Sequence, residues 1–164
     1  MDKIIETQSF PRLKYDITLP FPPSVNTAYR NIQFKTKTGR VIPKTLLSKK
    51  AREYTKQVKD IIYGLNLDKE NINQDIQVIY IYYPKTKRSF DPANFDKVLS
   101  DSLTKAGFYS DDKIIKDIRQ VKAEKCLTSC VRCLIKTYDR KSTYEEINNF
   151  FNDVDYNKIG NLGI

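Results

Sequence analysis

Apolar residues recur along the chain with two different periods. Between Ser48 and Leu65 they fall at Ala51, Tyr54, Val58, Ile61, Ile62 and Leu65, with lysines between them, which is the spacing of one helix face. Ser48 is placed to cap that helix. Ile76 to Tyr83 (IQVIYIYY) is instead a β-branched and aromatic run, and it predicts a strand. Tyr15 to Phe21 alternates and then meets Pro22-Pro23, which predicts a strand ending in a rigid turn. Ile114 to Ala123 and Val131 to Tyr138 predict two further strands. Phe95, Val98, Leu99, Leu103 and Ala106 return to helical spacing, with Asp91-Pro92 to open that helix and Gly107 to end it. Pro22 to Arg30 reads as a loop, Gln33 to Pro43 as a hairpin or flexible basic loop turning at Thr38-Gly39, and Pro84 to Ser89 as a second basic loop. Ser142 to Glu145 is a capping-box pattern for a terminal helix ending near Phe151.

This order predicts an α/β fold, a two-layer sandwich with a mixed β-sheet and helices packed on one face. A chain of 164 residues suits a single core. Residues 1–141 are expected to form it, and residues 142–164 a helical extension packed on the same domain. No apolar run approaches the roughly 18 residues of a membrane span. The first ten residues, MDKIIETQSF, lack the apolar segment of a signal peptide. No membrane partner is expected, and the cytoplasm is the expected location.

Charge adds a partner. The formal net charge is +9, and the four acids and one lysine of residues 142–164 leave an excess of bases in the rest. From Arg30 to Arg52 there are eight bases and no acid. Such a stretch is either a solvated surface or a site that draws a polyanion by Coulomb attraction and counterion release. The chain has no histidine, which removes histidine bases, histidine-bound zinc and serine or cysteine triads. Cys126, Cys130 and Cys133 have a C-x3-C-x2-C spacing, but strand-forming residues lie between them, so free reduced thiols are expected rather than a metal cluster.

Hydrolytic chemistry would then fall to carboxylates, lysine or metal-bound water. Phe90 to Ile114 gathers Asp91, Asp96, Asp101, Asp111 and Asp112 around one helix. Asp91 as a cap, Asp96 in the first turn and Asp111-Asp112 as a polar turn would each be ordinary. If both ends of the helix are brought together, the same oxygens are the hard ligands that Mg²⁺ takes.

These residues carry a resemblance. Asp91, Asn94, Lys97, Asp101-Ser-Leu103, Ala106-Gly107, Asp111 and Asp112, with LPFPPSVNTAYR from Leu19 to Arg30, resemble the RusA family of Holliday junction resolvases. The resemblance runs from about Tyr15 to Tyr138. It implies a homodimeric, Mg²⁺-dependent endonuclease, with Mn²⁺ as a possible substitute, that makes paired nicks in four-way DNA junctions during recombination and repair. No small-molecule cofactor is implied. Asp91, Lys97 and Asp112 would be catalytic, Asp91, Asp111 and Asp112 would hold the metal, and Asn94, Asp96 and Asp101 would support them. A lysine there can neutralise charge developing on the scissile phosphate. Arg30, Lys35, Lys37, Arg40, Lys85, Lys87 and Arg88 would contact DNA phosphates, with Tyr29 and Phe34 to stack or wedge. One position departs from the family's D-x-D-N-x-x-K pattern: Ala93 replaces the middle aspartate. The alternative is therefore a junction-binding protein of the same fold with weak or lost cleavage.

Overall fold

The computed structural model describes residues 14–87 and 89–152, with the side chains of 150–152 left out of that description. Residues 1–13, Arg88 and residues 153–164 lie outside the described residues. The main sheet holds β1 (Lys14–Pro20), β6 (Cys130–Thr137), β4 (Ile76–Tyr83) and β5 (Ile115–Lys122), side by side in that order. β6 runs antiparallel to both β1 and β4, and β4 runs parallel to β5. Two helices, α2 (Lys49–Gly64) and α3 (Ala93–Lys105), complete the core. Their residues Ala51, Tyr54, Val58, Ile62, Val98, Leu99 and Leu103 are buried in the same cluster as Ile17, Leu19, Val78, Tyr80, Tyr82, Val131, Cys133 and Ile135 of the sheet. The expected mixed sheet with helices on one face is thus the observed architecture. No helix among the described residues is long and apolar enough to cross a membrane.

Local chemistry sets the boundaries. The Ser48 hydroxyl accepts the Ala51 N–H at 3.2 Å, so α2 starts where its cap predicts. α3 ends in a Schellman turn: Gly107 N–H donates to Thr104 O at 3.0 Å and Phe108 N–H to Leu103 O at 3.2 Å. Gly107 has φ +79° there, and a Cβ on it would lie 2.7 Å from the Asp68 carbonyl oxygen.

Three expectations change. The Pro22–Arg30 loop contains a short helix, α1 (Val25–Ala28), because Ser24 O accepts both the Thr27 and Ala28 N–H groups. The basic loop is a long hairpin of β2 (Tyr29–Lys35) and β3 (Val41–Leu47), beginning well before Gln33. The terminal helix, α4 (Arg140–Asn152), is capped by Asp139 rather than Ser142, since the Asp139 carboxylate accepts the N–H groups of Lys141 and Ser142. It also meets β5 through an Arg119–Glu146 ion pair of 2.6 Å.

Gly107→Ala should destabilise the fold by at least about 1–2 kcal/mol, from the left-handed backbone alone. The approach to Asp68 adds to that cost. A lowered urea midpoint with unchanged slope would show it; an unchanged midpoint would contradict the tight packing at this turn.

Candidate active site

The end of β4 and the start of α3 are joined by four aromatic rings. Phe21, Tyr82, Phe90 and Phe95 contact one another with centroids 5.2–6.2 Å apart, mostly edge to face. This packing fixes the backbone on both sides of Asp91. One oxygen of Asp91 accepts the Ala93 N–H at 3.1 Å, so the carboxylate does cap the helix. The residue is nonetheless exposed. Lys97, one turn into α3, is exposed and makes no ion pair among the described residues. Asn94 is half-buried between them in sequence.

The other acids of α3 are tied to neighbours. Asp96 accepts the Gln120 amide of β5 at 2.9 Å, which turns it toward the edge of the sheet. Asp101 accepts the Tyr29 hydroxyl at 3.0 Å. Its partner is thus Tyr29 and not Lys97. The hydrogen bond also commits Tyr29, whose ring packs against the core, to joining the hairpin base to α3 rather than standing free to stack on a base. Burial, then the Asp101 hydrogen bond and charge, push the Tyr29 phenol up to about 12.

Asp111 and Asp112 lie beyond the far end of α3, at the entrance to β5. Asp111 Oδ1 accepts the Lys113 N–H at 2.9 Å, and its other oxygen lies 3.5 Å from Lys113 Nζ. That amide hydrogen bond, helped by Asp112 and the lysine charge, holds the Asp111 carboxyl below the usual range. Asp112 is exposed.

Within one chain the two ends stay apart. Asp91 follows the last residue of β4, whereas Asp111-Asp112 precede Ile115, which pairs with Ile76, the first residue of β4. The eight residues of β4 therefore separate the two levels, by about 23 Å at ~3.3 Å per step. Among the described residues no group of three or more acids or cysteines could hold a metal ion. The donors are hard oxygens suited to Mg²⁺, but one chain does not assemble them. The three cysteines do not come together either: Cys126, in the loop before β6, hydrogen-bonds Cys130, the first residue of β6, while Cys133 is buried in the core.

The expected DNA contacts fall on two surfaces. Arg30, Lys35, Lys37 and Arg40 of the hairpin are exposed, with Phe34 open to solvent; Lys85 and Lys87 are exposed on the loop after β4. Sequence reasoning missed Gln120 as the partner of Asp96 and Tyr29 as the partner of Asp101. Nothing in the local pattern signals either, since the partners are 24 and 72 residues apart.

A family model described as endodeoxyribonuclease RusA matches residues 20–137. The chain belongs to the RusA endodeoxyribonuclease family. A curated relative, the crossover junction endodeoxyribonuclease RusA of Enterobacteria phage 82, is 36% identical over 108 residues, covering 66% of this chain and 82% of the relative. The proteins of that name from Escherichia coli K12 and Shigella sonnei Ss046 are each 35% identical over 108 residues, with the same coverage. The RusA match takes in α1, the hairpin, α3 and the Asp111-Asp112 turn, and ends before α4.

Tyr29→Phe should cost about 1 kcal/mol, a hydrogen bond to a partly exposed charged acceptor. Because the folded pKa is raised, this contribution is complete below pH 10 and is lost as pH rises through about 12. Urea melts of both proteins should show the gap closing over that window; a constant gap would mean that the phenol does not donate to Asp101.

Proposed function

We propose that this chain is a structure-specific endonuclease that cuts four-way DNA junctions in recombination and repair, with Mg²⁺ or Mn²⁺, as a cytoplasmic homodimer. The observation that carries the reading is the selective exposure along α3. Asp91 and Lys97 are left open at one end while Asp96 and Asp101 are occupied by Gln120 and Tyr29. An exposed carboxylate and a lysine with no ion pair among the described residues, beside basic surfaces, suit attack on a phosphodiester.

The separation of Asp91 from Asp111-Asp112 supports a dimer. If both groups serve one reaction, they must come from different copies. A two-fold axis then generates two such sites, one for each strand to be nicked. Asp91, Asp111 and Asp112 would hold the metal, which when bound polarises the phosphoryl group and supplies an activated water. Lys97 would neutralise the phosphate charge, and Asn94 would hydrogen-bond a ligand carboxylate. The hairpin bases with Lys85, Lys87 and Arg88 would hold the flanking phosphates without reading sequence. Residues 142–164 would serve as an extension of the same unit, joined to it through Arg119 and Glu146.

Ala93 favours a second reading, binding with little cleavage, because its methyl group replaces an expected ligand at the first residue of α3. Asp96 lies one turn on from it and is the nearest carboxylate along the helix, although Gln120 holds it.

A nicking assay on a synthetic junction, with Mg²⁺, Mn²⁺ or EDTA and with linear duplex beside it, separates the readings. Metal-dependent paired nicks in the junction alone support the enzyme; a salt-sensitive junction shift with no nick in either metal supports binding. Asp91→Asn and Asp112→Asn should each abolish nicking and spare binding. Mixing the two inactive proteins should restore about a quarter of wild-type nicking, as single nicks, since half the dimers are mixed and each holds one intact site. No recovery on mixing would refute the shared site, and nicking by either variant alone would refute the residue assignment. Ala93→Asp should raise the nicking rate and lower the Mg²⁺ required; if it does neither, position 93 is not a ligand position in this chain.

A further inference from the structure

Next to Asp91 the surface opens into a groove of which the reading above uses only Lys87. It lies between the loop after β4 and the end of β5, has a volume of about 570 Å³, and is lined by Thr86, Lys87, Ser89, Phe90, Lys122 and Lys125 among others. Its walls are tied together. Ala123 N–H donates to Tyr82 O at 2.9 Å and Cys126 N–H to Pro84 O at 3.0 Å, so the chain leaving β5 follows the chain leaving β4. Phe90, the residue before Asp91, supplies the apolar part. Phe21, Tyr82 and Phe95 hold its ring. Lys122 Nζ lies over the ring at 5.4 Å from its centroid.

The groove thus offers one rigid aromatic ring, three lysines against a single acid, Glu124, and two hydroxyl side chains. Cations recognise phosphate, and an aromatic face recognises a nucleobase whatever its identity. The space is roomy enough for one nucleotide and too small for a duplex. A base still paired in a helix cannot reach a ring inside a groove, whereas strands exchanging at a branch supply bases released from their stacks. We propose that this groove receives one unpaired nucleotide from the branch point of a DNA junction, stacking its base on Phe90 and holding its phosphate with Lys87, Lys122 and Lys125. Arrival of the base displaces the Lys122 ammonium from the ring, and the freed cation turns to the phosphate. The strand is thereby anchored one residue from Asp91. This inference rests on the proposed action on junctions.

The test uses the full chain in EDTA, so that nothing is cut, with junctions carrying 2-aminopurine at the branch point and a linear duplex as control. Wild-type protein should raise the 2-aminopurine emission severalfold in the junction and leave the duplex unchanged. Lys122→Gln with Lys125→Gln, both exposed positions, should remove at least half of that rise. The same pair should lower the salt dependence of junction binding by up to about 0.9 in log–log slope, the share of one phosphate, without the same change on duplex. Phe90→Leu should remove the emission rise while leaving the salt slope in place. An unchanged rise in the double-lysine variant would overturn the proposal, whether or not Phe90→Leu folds. Equal losses on junction and duplex would also overturn it, since the lysines would then be general phosphate contacts. If wild-type protein binds no junction at all, the proposed function falls first and the inference with it.

Discussion

The contact of Phe21, Tyr82, Phe90 and Phe95 is the constraint on which the site depends. The rings come from the end of β1, the end of β4, the basic loop and the first turn of α3. Each well-oriented ring pair adds about 0.5–1.5 kcal/mol beyond the area it buries. The cluster therefore resists any shift of the helix start relative to the sheet. Asp91 inherits that rigidity: it follows Phe90 directly, and its carboxylate is held by the first free N–H of the helix. An acid on a long basic loop would otherwise be mobile. A precise position for a ligand or catalytic carboxylate has its physical origin in apolar packing behind it.

The far end of α3 is fixed just as firmly. Gly107 brings the chain against Asp68, and Ile72 and Phe108 then share a backbone hydrogen bond of 3.1 Å. Tyr109 sends its hydroxyl back to Ser100 O, and Tyr80 meets the Ser100 hydroxyl from the sheet. With both ends clamped, α3 behaves as a strut of fixed length, and its two acidic ends cannot close on each other. The geometry that looks like a defect in a single chain would suit the proposed two-fold assembly, in which each copy would present one half-site at each end of the strut. Two identical sites set by one symmetry axis also suit a substrate with two equivalent strands.

Much of this was legible in the sequence. The strand from Ile76 to Tyr83 has the predicted bounds, and Ser48 and Gly107 act at the helix ends where their chemistry places them. These features depend on neighbours within a few residues. The misses share the opposite character. Asp139 displaced Ser142 as a cap because an aspartate can take two N–H groups at once, which the capping-box pattern does not weigh. Tyr29 looked like a stacking residue because sequence shows the ring and not the acid 72 residues away that accepts its hydroxyl. The possibility that the carboxylates meet came from counting residues along a helix. Their separation became plain only with the parallel pairing of β4 and β5.

Ala93 and Asp96 can be weighed in the same terms. Position 93 begins α3 and is exposed, and an aspartate there would share the rigidity of Asp91. Asp96 is on the same helix one turn later, but it is half-buried and spends one oxygen on Gln120. A neutral amide is a weaker partner than a cation, so Gln120 holds Asp96 in place without neutralising it. The chain therefore keeps a second carboxylate on the helix that follows the Asp91 loop, three residues on from position 93. Three residues along a helix rise by about 4.5 Å, too far for direct replacement of one ligand by another and well within reach of a bridging water. Divalent magnesium usually keeps several waters and takes only one or two carboxylates directly. Loss of the alanine position's carboxylate thus changes how tightly a metal would be held more than whether hard oxygen ligands remain to hold it.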